Sequence, residues 1–463
     1  MKNPQQHWIK QIAEANKPSY LMIADLIAED LRVGRLSPRD QLPTLRELAQ
    51  MLGINYTTAA RGYAEARKRG LIDTRTGSGT FALGSSPTLP LRGGSGAEMT
   101  MNLPPEIEDP ALLSRISDSA AAALHDCDIN LLLRYQDFGG TPTDRRVATK
   151  WLREFIPDAE CEEILICPGI HSALAALMSL LARPGEMICV ESLTYPGIKA
   201  IAAQLGVKLF GLPMDHGGVK VRAFEDACKT LSPKALYLNP TMLNPTTQTL
   251  DLQRREALAD IALHYSIPII EDDAYGMLPT KPVPALATLA PALTYYISGM
   301  SKCYGAGLRT AFVRSPTPRQ AQRLAGALRA TTVMASPVTT AIATRAINDG
   351  TAQAVLTAIR QECQSRQALA DELLAGYAHS SHPEGFHLWL PVEESWNVVE
   401  FASYLRTQGV GVVASAAFST DANPPNAVRI CLGGPGGKFA CETALRLIAD
   451  TLTHPLHPHA TML

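Results

Sequence analysis

Lys302 closes the run Ser298-Gly299-Met300-Ser301-Lys302, seven residues before Arg309 and thirty after Asp272 in Glu271-Asp272-Asp273-Ala274-Tyr275. These residue types can do chemistry together. A lysine amine forms a Schiff base with an aldehyde, a carboxylate keeps a pyridine nitrogen protonated, a phenol or amide faces a ring oxygen, and a guanidinium meets a phosphate. Pyridoxal 5'-phosphate (PLP) makes all four demands. Lys302, Asp272, Tyr275 and Arg309 answer them in workable chain order, with Asn244 as a second group for the ring oxygen and Asp273 as the alternative to Asp272. Without Lys302 and Arg309, the acidic run would read as a solvated loop.

Short apolar runs position these groups. Residues 266–270 predict a buried strand with the acidic run at its carboxyl end, where open α/β sheets place ligands. Residues 236–238 predict another, breaking into a segment with two Asn-Pro bonds, either of which is a candidate for the cis form. Ile164-Leu165-Ile166-Cys167 leads through Pro168-Gly169-Ile170-His171-Ser172 into a helix over 173–181. That turn offers free N–H groups to a phosphate, and it is also how any βα unit begins. After Ile188-Cys189-Val190-Glu191, Tyr195 is placed to stack on an aromatic ring.

The motifs from about 100 to 453 resemble fold-type I aminotransferases of the aspartate and kynurenine aminotransferase group. The resemblance implies Lys302 as the Schiff-base lysine, Asp272 on the ring nitrogen, Tyr275 and Asn244 on the ring oxygen, Tyr195 as the stacking ring and Arg309 on the phosphate. Tyr135, in Tyr135-Gln136-Asp137-Phe138-Gly139-Gly140, matches a tyrosine lent across a dimer interface to the partner's phosphate. Arg429 matches the arginine that holds a substrate carboxylate with a bidentate fork. Two positions depart from the pattern. Gly299 stands where a hydroxyl is common, and Ile170 where Ser, Ala or Thr follows the turn glycine. Phosphate binding is therefore expected to rest on the N–H groups at Gly169, Ile170 and His171, on Arg309, and on nearby Ser172, Ser298 or Ser301.

A catalyst needs nothing like the first 84 residues. Tyr20, Ile23, Ala24, Ile27 and Leu31 recur at helical spacing; Thr44 and Glu47 form a capping box opening a helix to Leu52; Gly53 turns the chain; Asn55 caps a third helix ending at Gly70. Two strands around Thr76-Gly77-Ser78-Gly79 predict a hairpin, and the whole predicts a winged helix-turn-helix. Residues 1–84 hold 12 Lys and Arg against 8 Asp and Glu, a net of +4 that leaves −6 for the rest and suits a polyanion partner. The segment is similar to the GntR family, whose signature matches residues 40–49 and the wing at 77–81. The resemblance places Arg46, Asn55, Tyr56, Thr57, Thr58, Arg61, Gly77, Ser78 and Gly79 near double-stranded operator DNA. Tyr56 stands where an arginine is common, so base preference does not carry over. Together the halves resemble the MocR subfamily, a GntR-type reader fused to an aminotransferase-like domain.

The expected organisation is a winged helix-turn-helix over 1–84, a Ser-, Pro- and Gly-rich flexible linker over 85–97, and an α/β, fold-type I domain over 98–463. The nine cysteines show no zinc spacing. With no apolar span of membrane length, they point to a cytoplasmic protein with no metal and no membrane partner. His454, His457 and His459 lie in a proline-containing tail and read as disorder rather than a metal site. The resulting expectation is a homodimeric, PLP-dependent transcription regulator answering an amine or amino-acid effector, or a PLP vitamer. It is expected not to turn over as an enzyme beyond an aminotransferase-type half-reaction, and the alternative is an active aminotransferase with a DNA-binding appendage.

Overall fold

A computed structural model describes residues 6–13, 17–32, 35–36, 40–69, 71–75, 79–82, 97–393 and 395–453. The chain divides into two compact units, Met1–Gly93 and Gly94–Leu463.

The small unit contains α1 (Gln6–Ala13), α2 (Ser19–Arg32), β1 (Gln41–Leu42), α3 (Leu45–Leu52), α4 (Tyr56–Lys68), β2 (Ile72–Arg75) and β3 (Gly79–Ala82). Thr44 caps α3: its hydroxyl accepts the Glu47 N–H at 3.4 Å, and its own N–H donates to Glu47 Oε2 at 2.8 Å. Gly53, at φ 64°, ends that helix in the left-handed region where glycine costs least. Asn55 Oδ1 accepts the Thr58 N–H at 2.7 Å and fixes the start of α4. Ile23, Ile27, Leu48, Leu52, Ala59 and Tyr63 fill the core between α2, α3 and α4. Gly62 allows the close approach of α4 to α2, since a Cβ there would lie 2.7 Å from Ile23 Cδ1.

Two features were not legible in the sequence. Strand β1 joins the wing through the pairs Gln41↔Phe81 and Leu42↔Thr80, giving a sheet ordered β1-β3-β2. Helix α1 adds the buried Trp8, whose indole N–H donates to Asp30 Oδ2 at 2.7 Å.

The large unit is built on a seven-stranded sheet. Its spatial order is Ile164–Cys167, Ala311–Arg314, Thr294–Gly299, Ile269–Asp272, Ala235–Leu238, Met187–Glu191 and Lys208–Leu212. Ala311–Arg314 runs antiparallel to both neighbours, and the other pairs are parallel. Apolar strands such as Ile164-Leu165-Ile166-Cys167 are buried on both faces. The strand predicted over 266–270 begins later: Ser266, at φ 56°, closes the helix Leu252–Tyr265. Glu271 and Asp272 consequently lie inside the strand rather than after it.

A second, antiparallel sheet is ordered Ser380–Ser381, His387–Pro391, Ala427–Cys431 and Val413–Ala414, and carries Arg429. Its apolar face shares a core with the helices Val398–Thr407 and Gly437–Thr453. The short strand Ala97–Glu98 pairs with Val410–Gly411 beside it. Among the described residues no helix is long and apolar enough to cross a membrane.

Candidate cofactor and ligand site

A cavity of about 470 Å³ is lined by residues from the carboxyl ends of the central strands, from the second sheet and from residues 100–103. Asp272 ends its strand there. Tyr237 donates its hydroxyl to Asp272 Oδ2 at 2.8 Å, while Oδ1 is buried without a partner. Burial pushes this carboxyl up to about 7, against the lowering effect of the Tyr237 hydrogen bond. Asp273, the sequence alternative, accepts the Tyr296 hydroxyl at 2.8 Å and does not line the cavity. Asp273 follows the last strand residue and turns toward Tyr296, which separates the two carboxylates.

Lys302 lines the cavity and donates to the backbone carbonyl of Asn102. Burial brings its amine down to about 8, with Arg429 and Arg309 adding to the effect and Cys431 and Asp272 opposing it. An amine with so low a pKa is substantially neutral near that pH and able to attack a carbonyl. Tyr275 accepts the Asn102 amide N–H at 2.7 Å, and burial pushes its phenol well up. Asn244 Oδ1 accepts from Arg429 Nη1 at 2.9 Å, leaving its NH₂ as the donating end. The Asn244-Pro245 bond is cis and Asn239-Pro240 is not.

At the opposite end the helix Ile170–Leu181 starts at Gly169, φ 88°, with no side-chain cap. A Cβ on Gly169 would lie 2.8 Å from Arg309 Nη2, so glycine is needed for the guanidinium to lie against this turn. His171 has its pKa lowered by burial and by Arg309. Free helix N–H groups beside a guanidinium are an anion-binding arrangement. The two departures in sequence are matched in space, since a Cβ at Gly299 would stand 3.1 Å from Ile170 Cγ1. Ser301 and Tyr195 line the cavity, and the Tyr195 ring folds over Gly197, where a Cβ would lie 2.2 Å from ring Cε1.

Four predicted groups are not brought in. The Gly169 N–H donates to the Cys167 carbonyl at 2.7 Å, and Gly169 does not line the cavity. Ser298 is buried in its strand, its hydroxyl lacks a partner, and it does not line the cavity. Ser172 turns its hydroxyl back to the Pro168 carbonyl at 3.2 Å. Tyr135 is 81% exposed and away from its own chain's cavity. Conversely, the sequence reading missed Thr100, Asn102, Tyr237 and Asn239. Asn239 donates its amide to the Asp272 carbonyl at 2.6 Å and accepts the Asn244 N–H at 3.0 Å. Its signal was the same Asn-Pro segment that gave Asn244.

In the small unit, Arg46 is exposed in the first turn of α3, and Tyr56 (52% exposed) and Thr57 stand at the start of α4. Thr57 donates its hydroxyl to Asn55 Oδ1 at 2.8 Å, so the Asn55 oxygen is committed to the cap and only its amide N–H remains to donate outward. Thr58 is partly buried, and Arg61 is exposed with its guanidinium 4.3 Å over the Tyr20 ring. Gly79 lies in β3 at φ 112°; Gly77, Ser78 and the tail histidines lie outside the described residues. Among the described residues no cluster of three or more His, Cys, Asp or Glu could hold a metal ion.

Residues 109–439 match the family "Aminotransferase class I and II", and residues 19–82 match "Bacterial regulatory proteins, gntR family". The chain is 30% identical over 456 residues to the uncharacterized HTH-type transcriptional regulator YdeF of Bacillus subtilis, covering 96% of this chain and 97% of that one. It is 28% identical over 415 residues to the vitamin B6 salvage pathway transcriptional repressor PtsJ of Salmonella typhimurium, covering 89% of this chain and 93% of PtsJ. Pyrococcus horikoshii kynurenine aminotransferase shares the fold with a TM-score of 0.71 at 21% identity, over 79% of this chain and 92% of that one. The two matched segments lie in the two compact units, and the relatives align along both; the chain belongs to the MocR subfamily, in which a GntR-type helix-turn-helix is fused to an aminotransferase class I and II domain.

Proposed function

We propose that this protein is a transcription regulator that binds double-stranded operator DNA through its small unit and senses a PLP-linked signal in its large unit. The observation that carries the reading is Asp272, which has a buried, unpaired oxygen and lines a cavity shared with Lys302 and with Arg309, which lies against a helix N-terminus. A buried carboxylate with a raised pKa calls for a cationic donor, and the protonated pyridine nitrogen of PLP is one. When bound, the cofactor supplies an electron-withdrawing aldehyde. Lys302 would hold that aldehyde and Asp272 the ring nitrogen. Asn244 and Tyr275 would take the ring oxygen, Tyr195 the ring face, and Ile170, His171, Ser301 and Arg309 the phosphate, at the turn that Gly169 makes. Arg429 would read the carboxylate of an amino-acid effector. The exposed Tyr135, flanked by exposed Leu131 and Leu133, supports a homodimer in which each chain completes its partner's site.

PtsJ is named for repression of vitamin B6 salvage, which supports a vitamer or PLP-bound amine as the signal. The deciding experiment is reciprocal. PLP with a panel of amino compounds is titrated into the full-length protein with and without DNA from upstream of its own gene. Coupling requires the DNA to shift ligand affinity by the factor by which ligand shifts DNA affinity. Identical curves, together with sustained conversion of an added amino acid to its keto acid while a second, added keto acid accepts the amino group, would instead establish an aminotransferase carrying a DNA-binding appendage.

A further inference from the structure

In the large unit the strand Ala97–Glu98 leads to residues 100–103, which line the cavity. Two of its backbone carbonyls are committed there. Thr100 O accepts from Arg429 Nη2, and Asn102 O accepts from Lys302 Nζ. Lys302 and Arg429, two of the three cations that line the cavity with Arg309, are thus held by the main chain of one short segment.

Several hydrogen bonds tie that segment to its surroundings: the Asn102 amide donates to the Tyr275 hydroxyl at 2.7 Å, the Leu103 N–H to Met101 O at 2.9 Å, and Cys431 Sγ to Leu103 O at 3.5 Å. The Met99 N–H donates to Gly411 O at 3.1 Å, the Cys431 N–H to Met99 O at 3.0 Å, and the Thr100 N–H to Glu98 Oε1 at 2.8 Å. It lies directly on the backbone of Gly433 and Gly434, where a Cβ would fall 1.9 Å from Leu103 O and 1.8 Å from Glu98 O. Meanwhile Arg429 Nε and Asn102 Oδ1 are buried without partners. Asn244 holds Arg429 by Nη1, so the edge formed by Nε and Nη2 is the one left for a carboxylate. A carboxylate bound to two guanidinium N–H groups is the stronger competitor against a single neutral carbonyl.

We propose that residues 100–102 form a displaceable strap: the Thr100 carbonyl stands in for a ligand carboxylate at Arg429, and an amino carboxylate joined to the cofactor drives it off. The proposal rests on Arg429 being the carboxylate reader.

The test uses full-length, PLP-free protein and two stable probes, phosphopyridoxyl-glycine and phosphopyridoxyl-methylamine, which differ only in the carboxylate. Calorimetry should show the glycine conjugate binding about tenfold more tightly, the lower end of what a charged hydrogen bond contributes. Amide exchange at Met99 and Thr100 should rise with that conjugate alone. Glu98→Ala, which loosens the turn presenting the Thr100 carbonyl, should tighten binding of the glycine conjugate severalfold and leave the methylamine conjugate unchanged. A tenfold preference with unchanged exchange and no gain in Glu98→Ala overturns the strap and leaves Arg429 as the reader. Equal affinity for the two probes overturns the Arg429 reading and the strap with it.

Discussion

Replacing Asp272 with Asn gives a prediction whose size follows from the site. Burial raises the Asp272 carboxyl from 3.8 to about 7 in the folded, cofactor-free protein. Between those values the unfolded chain has released a proton that the folded chain still holds. Stability from this group is therefore full below the unfolded pKa and is lost as pH rises, at about 1.4 kcal/mol per pH unit, levelling off above about 7. From pH 5 to pH 9 the loss amounts to about 3 kcal/mol. Asp272→Asn removes it and keeps an oxygen to accept the Tyr237 hydroxyl. Any fixed difference between the two side chains is independent of pH. Urea unfolding of the full-length, PLP-free proteins, following the tryptophans of the large unit, should show the variant gaining about 3 kcal/mol on wild type between pH 5 and pH 9. With PLP present the advantage should vanish, because only wild type gains a partner for its charge. Parallel pH profiles for the two proteins would refute the argument that Asp272 is an unpaired charge awaiting a cation.

Other expectations are open to direct measurement. Arg429→Ala should keep the PLP absorption band but weaken the response to a carboxylate effector by roughly 10- to 150-fold, the equivalent of about 1.5–3 kcal/mol for a charged hydrogen bond; an unchanged titration makes Arg429 a structural arginine. Arg46→Ala should weaken operator binding and lower the slope of log affinity against log salt by about 1, with an unaltered PLP spectrum, if its exposed guanidinium meets a phosphate. Thr44→Ala should destabilise the small unit by about 1 kcal/mol through loss of the α3 cap, seen as a lower midpoint for that unit alone. Gly169→Ala should abolish tight PLP binding, since its Cβ would meet Arg309 at 2.8 Å in a left-handed backbone; retained affinity would remove the turn from the phosphate site.

What the sequence revealed depended on whether the signal was local. The capping box at Thr44, the Gly53 turn and the Asn55 cap are written within a few residues each, and their helices appear where expected. The strand Ile164–Cys167 was equally plain, because a strand buried on both faces is a continuous apolar run. Pairing at a distance was not legible: nothing in Gln41-Leu42 announces a third strand on the wing, and nothing in Trp8 announces Asp30. Within the site, Asp272 and Asp273 are equivalent in a string of letters. Only the fold, which ends the strand at Asp272, puts one at the cavity and the other toward Tyr296. Thr100 and Asn102 escaped notice because they act through backbone carbonyls, which any residue carries. Ser298 was proposed from proximity in sequence to Lys302; its strand keeps it buried and off the cavity lining.

The central claim, that the large unit holds PLP through Lys302, is tested most directly by chemical trapping. Full-length protein is incubated with PLP, reduced with borohydride, digested and mapped by mass spectrometry, beside Lys302→Ala treated in the same way. The account predicts a phosphopyridoxyl group on the peptide containing Lys302, together with loss of that label in the variant. Label on a different lysine, or none after incubation with excess PLP, would contradict it.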